Sequence, residues 1–186
     1  MRRLLGIAVL ALFTIITMTD TAKAADPENT LYLELKSGRV VIEMRPDIAP
    51  KHVARIKELV REKFYDGLTF HRVIDGFMAQ TGDPRGNGTG GSGQNIPAEF
   101  SDLEHFYRGT VGMARSQNPN SGDSQFFIMF DKAPFLDGQY TIWGEVIDGM
   151  EHVDDIKRGD EARNGTVSDP DKIVSMRVAA DVKESI

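Results

Sequence analysis

The sequence predicts a mainly β domain of eight short antiparallel strands with two flanking helices. Three observations carry that expectation. Eight β-rich runs follow one another with turn residues between them, only two stretches have helical periodicity, and 186 residues with 40% hydrophobic side chains suffice for one sizeable core. So many strands with so little helix over their edges are expected to close into an antiparallel barrel, because closure removes exposed edges. Periodicity alone does not separate a barrel from a sandwich.

Taken in order, residues 31–36 alternate Leu31, Leu33 and Leu35 with Tyr32, Glu34 and Lys36, and a second β-rich run, 40–44, follows the turn residues Ser37-Gly38. This pattern predicts a hairpin. Pro50 opens a helix whose Val53, Ile56, Leu59 and Val60 share one face, ending near Tyr65-Asp66-Gly67. The remaining strands are expected at 70–74, 77–81, 110–114, 126–130, 140–146 and 172–180, with a second helix over 150–157.

Ahead of this domain, Arg2 and Arg3 precede an apolar run over 4–18, and Ala22-Lys23-Ala24 offers the small residues a signal peptidase reads. That run is shorter than the ~20 residues needed to cross a bilayer. The expectation is a signal peptide over 1–24 cut after Ala24, and no membrane span in the mature chain. Export is to the periplasm, or to the secretory pathway if the source is eukaryotic. A short extension (25–30), the folded domain (31–181) and a tail (182–186) follow.

Composition removes several functions. A net charge of −6 argues against a nucleic-acid partner, and the absence of cysteine excludes disulfides, thiol catalysis and thiolate metal sites. His52, His71, His105 and His152 show no metal-ligand spacing, so no metal is expected. Residues 86–91 satisfy G-x-G-x-x-G, but no helix pattern follows as a dinucleotide site requires, so a glycine-rich surface loop is expected. Ser124 lacks the second glycine of a nucleophile elbow. Asn87-Gly88-Thr89 and Asn164-Gly165-Thr166 are glycosylation sequons, relevant only in a eukaryotic source.

The run from Phe70 to Asp83 (FHRVIDGFMAQTGD) is followed by Gly88-Thr89-Gly90-Gly91, then by Ser124-Gln125-Phe126-Phe127-Ile128 and Phe135-Leu136-Asp137-Gly138. In this order the blocks resemble the signature of the cyclophilins, and the resemblance spans roughly residues 31–181. It implies a closed eight-stranded β-barrel with a helix over each open end, and peptidyl-prolyl cis/trans isomerase activity without cofactor or metal. By position it implies that Arg72 is the catalytic arginine and that Gln80 orients it. Phe77, Met78, Phe127 and Leu136 correspond to the proline pocket, and Ala114 and Gln125 line the peptide groove. Arg115 stands where the family usually has asparagine, at a position that binds peptide through its backbone, so its side chain is expected to alter preference. Phe135 and Tyr140 stand where tryptophan and histidine are common.

The implied partners are proline-containing peptides and exported proteins that are unfolded or folding, met by a monomer. Cyclosporin, a cyclic peptide that many members bind, is expected to bind weakly because Phe135 has no N–H to donate. Two other functions suit a domain of this kind: a non-catalytic proline-peptide binder or holdase, and a small-ligand barrel. The pair Arg72 and Gln80 speaks against both.

Overall fold

The computed structural model describes residues 26–183; the expected signal peptide and the last residues of the tail lie outside the described residues. Eight strands form one antiparallel sheet: β1 (Thr30–Glu34), β2 (Arg39–Met44), β3 (Arg72–Ile74), β4 (Met78–Thr81), β5 (Thr110–Met113), β6 (Phe126–Met129), β7 (Ile142–Asp148) and β8 (Ser175–Val178), in the order β3-β4-β6-β5-β7-β2-β1-β8. Each expected run contributes one strand. Six strands are shorter than the runs that announce them, because the run ends feed turns; β2 gains one residue, and β7 keeps its length but starts two residues later.

The sheet curls strongly, and its closure is slighter than a continuous barrel implies. No ladder joins the outer strands β3 and β8. The seam is made just ahead of each, where Thr69 bridges Lys172, Phe70 N donates to Asp171 O at 2.9 Å and Ile173 N to Leu68 O at 2.8 Å.

Helix α1 (Pro50–Arg61) places Pro50 in its first turn and buries Val53, Ile56, Leu59 and Val60. It packs against β8. Its N-cap residue, Ala49, offers no side-chain acceptor. Instead the distant Glu99 carboxylate accepts from Lys51 N and His52 N, both at 3.0 Å, and from His52 Nδ1 at 2.7 Å. An orphaned helix start is thereby satisfied and offered negative charge. The helix stops earlier than its apolar pattern suggests, because Lys63 turns to φ 59°. Helix α2 (Met150–Asp154) is likewise shorter than expected.

Alternation along the strands makes two apolar clusters. Leu31, Leu33, Ile42, Val73, Phe70, Phe126, Ile128 and Trp143 belong to the barrel interior. There Trp143 and Tyr65 each meet Phe126 edge-on, with centroids 5.4 and 5.5 Å apart. Met78, Phe106, Phe127, Met129, Ala133, Leu136 and Ile142 form the second cluster on the other face.

Candidate active site

Three strands bring the expected site residues together. Arg72 on β3 pairs directly with Gln80 on β4, Gln80 pairs with Phe127 on β6, and Phe127 pairs with Gly112 on β5. Directly paired residues point to the same side of a sheet, so Arg72, Gln80 and Phe127 form a row across the outer face. Ile74, Met78 and Met129 form the next row. Gly112 ends the first row for a steric reason. A Cβ there would lie 2.5 Å from Phe127 Cζ and 2.7 Å from Phe106 Cε1, where the two rings stack with centroids 5.8 Å apart.

Over this floor opens a cavity of about 440 Å³ lined by Arg72, Phe77, Met78, Gln80, Ala114, Arg115, Phe127, Phe135, Leu136, Gln139 and Tyr140. Every candidate site residue from the sequence lines it except Gln125, which lines an adjoining cavity of about 320 Å³ that shares Gln80, Ala114 and Arg115. One wall is the short turn Pro134–Leu136, from which Leu136 points inward, nearly buried, while Phe135 stands 69% exposed at the rim against Phe77, centroids 5.5 Å apart. Asp137 anchors that turn, accepting from Phe106 N at 2.8 Å and meeting His105 Nδ1 at 2.8 Å. Opposite, Tyr140 meets Phe127 edge-on at 5.9 Å.

The polar groups form a directed chain. Arg72 Nη1 donates to Gln80 Oε1 at 3.1 Å; Gln80 Nε2 donates to Gln125 Oε1 at 2.9 Å; Gln125 Nε2 donates to the carbonyls of Gly88 and Gly90 at 3.1 and 2.7 Å. On its other edge Arg72 donates from Nε to Asn164 O at 3.1 Å and from Nη2 to Asn164 Oδ1 at 3.0 Å. Burial pushes the Arg72 guanidinium below the usual arginine range, partly offset by Tyr140. An arginine so placed remains a cation at neutral pH.

The glycine-rich segment is a loop, as its missing helix pattern implies. Its carbonyls serve Gln125, and buried Asp83 holds it by accepting from Arg85 N, Asn87 N and Gly88 N at 2.8, 3.0 and 2.6 Å. Ser124 is buried and its hydroxyl donates to Gly82 O at 2.7 Å, which ties strands rather than serving as a nucleophile. Arg115 spends its guanidinium on backbone: Nε and Nη2 donate to Gln139 O at 3.0 and 2.8 Å, Nη1 donates to Ser116 O at 2.9 Å, and the group lies 4.4 Å from the Tyr140 ring centroid. It braces the wall between the two cavities. Sequence reasoning did not foresee Asn164, Phe106 or Gly112 here. Asn164 carried one signal, an Asn-Gly pair of the kind that occupies left-handed turns.

The family model for cyclophilin type peptidyl-prolyl cis-trans isomerases matches residues 30–178. The chain belongs to that family. A probable peptidyl-prolyl cis-trans isomerase of Brucella suis is 61% identical over 180 residues, covering 90% of this chain and 91% of its own. Peptidyl-prolyl cis-trans isomerase B of Bacillus subtilis is 42% identical over 133 residues, covering 70% of this chain and 92% of its own. Among solved structures, a cyclophilin from Hirschia baltica superposes with a TM-score of 0.75 at 29% identity, covering 86% of this chain and 77% of its own. A Cryptosporidium parvum cyclophilin type isomerase, solved in the presence of the dipeptide Ala-Pro, gives 0.73 at 29% identity, covering 80% and 98%. The matched segment includes both cavities and the cyclophilin blocks quoted above.

Proposed function

We propose that this cyclophilin accelerates cis/trans isomerisation of Xaa-Pro bonds in exported proteins as they fold, with Arg72 as the catalytic group. The observation that carries this function is a half-buried, oriented guanidinium at the edge of an apolar cavity floored by Phe127 and Met78. Resonance holds a peptide bond planar, with a rotation barrier of ~18–20 kcal/mol. Twisting the bond before proline breaks that resonance, and the proline nitrogen becomes pyramidal and gains a lone pair absent from both planar states. A donor placed beside it makes a hydrogen bond that exists only in the transition state, which is the kind that accelerates a reaction.

Phe77, Met78, Phe127 and Leu136 hold the proline ring while the preceding residue turns. Ala114, Arg115, Gln125, Phe135 and Tyr140 border the peptide on either side. Gln80 and its amide chain keep the guanidinium from swinging away. No bond is made or broken, so no nucleophile is needed. The apolar part of the cavity, and a related Cryptosporidium parvum isomerase solved in the presence of the dipeptide Ala-Pro, support proline-containing substrates. Export rests on the leader pattern of residues 1–24, and mass spectrometry of the exported protein should find Ala25 first. The test of function is a protease-coupled assay on a proline tetrapeptide with the mature chain. A non-catalytic binder or a small-ligand barrel predicts no acceleration, an isomerase predicts a rate proportional to protein concentration.

A further inference from the structure

From the grip on the far edge of Arg72 we infer that Asn164 is a positioning residue for catalysis, holding the guanidinium in the orientation that meets the substrate. This rests on Arg72 acting as proposed above. An arginine has five N–H donors in a fixed planar fork. Gln80 takes one donor from Nη1, while Asn164 takes the Nε/Nη2 edge with two oxygens, its own carbonyl and its side-chain Oδ1. One residue thus receives that edge much as a carboxylate does, but carries no charge. A carboxylate there would neutralise the cation that the reaction uses, whereas an amide fixes the plane and leaves the charge whole. With both edges held, rotation about the terminal bonds of Arg72 is blocked, while Nη1 also lies 3.9 Å from the sulfur of Met78, which lines the same cavity.

The backbone around Asn164 is built for this. Asn164 has φ 53° and ψ 38°, left-handed values that asparagine tolerates better than most residues. Its N–H donates to Glu161 O at 3.1 Å, and Gly165 N donates to Asp160 O at 2.8 Å. The loop is then laced to β3 on both sides of Arg72: Val167 N donates to His71 O at 3.1 Å, Val73 N to Gly165 O at 2.8 Å, and Gly159 N to Val73 O at 2.9 Å. Gly165 has φ 77°, and a Cβ on it would lie 2.5 Å from Ile74 Cγ1, so only glycine permits so close an approach. The loop therefore covers the outer edge of β3 and is tied to it on both sides of Arg72. Glycine at 164 would suit the backbone at least as well. What asparagine adds is Oδ1.

The test is Asn164→Gly, which keeps the left-handed turn and the backbone carbonyl and removes the side chain, with the Oδ1 that accepts from Arg72. We expect a loss of roughly 3- to 10-fold in kcat with KM and Tm unchanged. In NMR spectra the separate Nη proton signals of Arg72, resolved while both edges are held, should merge as the group begins to rotate. In an Arg72→Ala background the same substitution should change nothing further, because a residue acting through Arg72 has no one left to act through. Wild-type kcat with Nη signals still resolved would overturn the assignment, as would an equal loss in the Arg72→Ala background, which would mark a purely structural role. Should Arg72→Ala itself keep full turnover, the proposed role of Arg72 falls, while the Arg72 spectrum of Asn164→Gly still decides whether Asn164 holds the guanidinium.

Discussion

Strand β6 supplies side chains to two apolar clusters that differ in what covers them. Phe126 and Ile128 enter the barrel, where α1 and the surrounding sheet close over them; Phe127 and Met129 enter the outer cluster, which is roofed only by loops and the Pro134–Leu136 turn. Burial does not distinguish the two aromatic rings, since Phe127 is 5% exposed against 0% for Phe126. Their neighbours do. Phe126 is surrounded by Tyr65 and Trp143, whereas Phe127 has Phe106 on one face and borders an open cavity on the other side. The barrel interior is a finished core. The outer cluster is a core left open on one side, where the cavity of about 440 Å³ begins.

The sharpest way to break this comparison is to truncate each ring. Phe126→Ala should cost about 3–5 kcal/mol of stability in chemical denaturation, because it opens a cavity inside a closed core. Phe127→Ala should fall at or below the low end of that range, since water can enter its space, and should lose most of kcat/KM. Equal stability losses would make the outer cluster ordinary core.

Next in size, Arg72→Ala should lower kcat/KM by about 10²–10³-fold, which is ~3–4 kcal/mol of transition-state stabilisation, with thermal unfolding nearly unchanged. Arg72→Lys should rescue little, because an ammonium cannot be held on two edges as the planar fork is. Unaltered turnover in the Ala variant would remove Arg72 from the mechanism.

A smaller effect concerns the rim. Phe135 offers no N–H, so a buried ligand carbonyl expecting one loses about 1–3 kcal/mol, or ~5–150-fold in affinity. Cyclosporin should inhibit the natural chain weakly and Phe135→Trp more strongly, with turnover of the same peptide unchanged. Nanomolar inhibition of the natural chain would mean that the ligand does not use this rim.

The smallest expected effect separates folding stability from turnover by pH. Burial pushes His52 and His71 below the usual histidine range, against the opposing pull of Glu99 on His52 and of Asp83 on His71. Neither ring nitrogen of His71 meets a partner. Because both folded values lie below the unfolded one, the unfolded chain binds protons first as pH falls. Stability is therefore full above about pH 6.5 and declines below it, by at most ~1.4 kcal/mol per pH unit for each histidine. Arg72 keeps its charge throughout, so turnover of the folded enzyme between pH 6 and 8 should stay flat. Urea titrations and initial rates across that range check the two halves separately.

Much of the site was legible in the chain. Short β-rich runs between turn residues placed the eight strands, Pro50 opened α1, and the cyclophilin blocks brought Arg72, Gln80, Phe77, Met78, Phe127 and Leu136 to notice, residues that the fold gathers around one cavity. These features are local, or depend on period-two alternation, which any stretch of sequence displays by itself. The end of α1 was less legible, because the apolar face continues in pattern past Lys63, where the backbone turns left-handed. Closure at the Thr69 and Lys172 seam, the cap that Glu99 lends to α1, the bracing of Arg115 on Gln139 O and the grip of Asn164 on Arg72 were decided only by the tertiary structure. Each joins residues between 24 and 103 positions apart through polar groups that carry no periodic signal, so the chain names the groups but only the fold determines which of them meet.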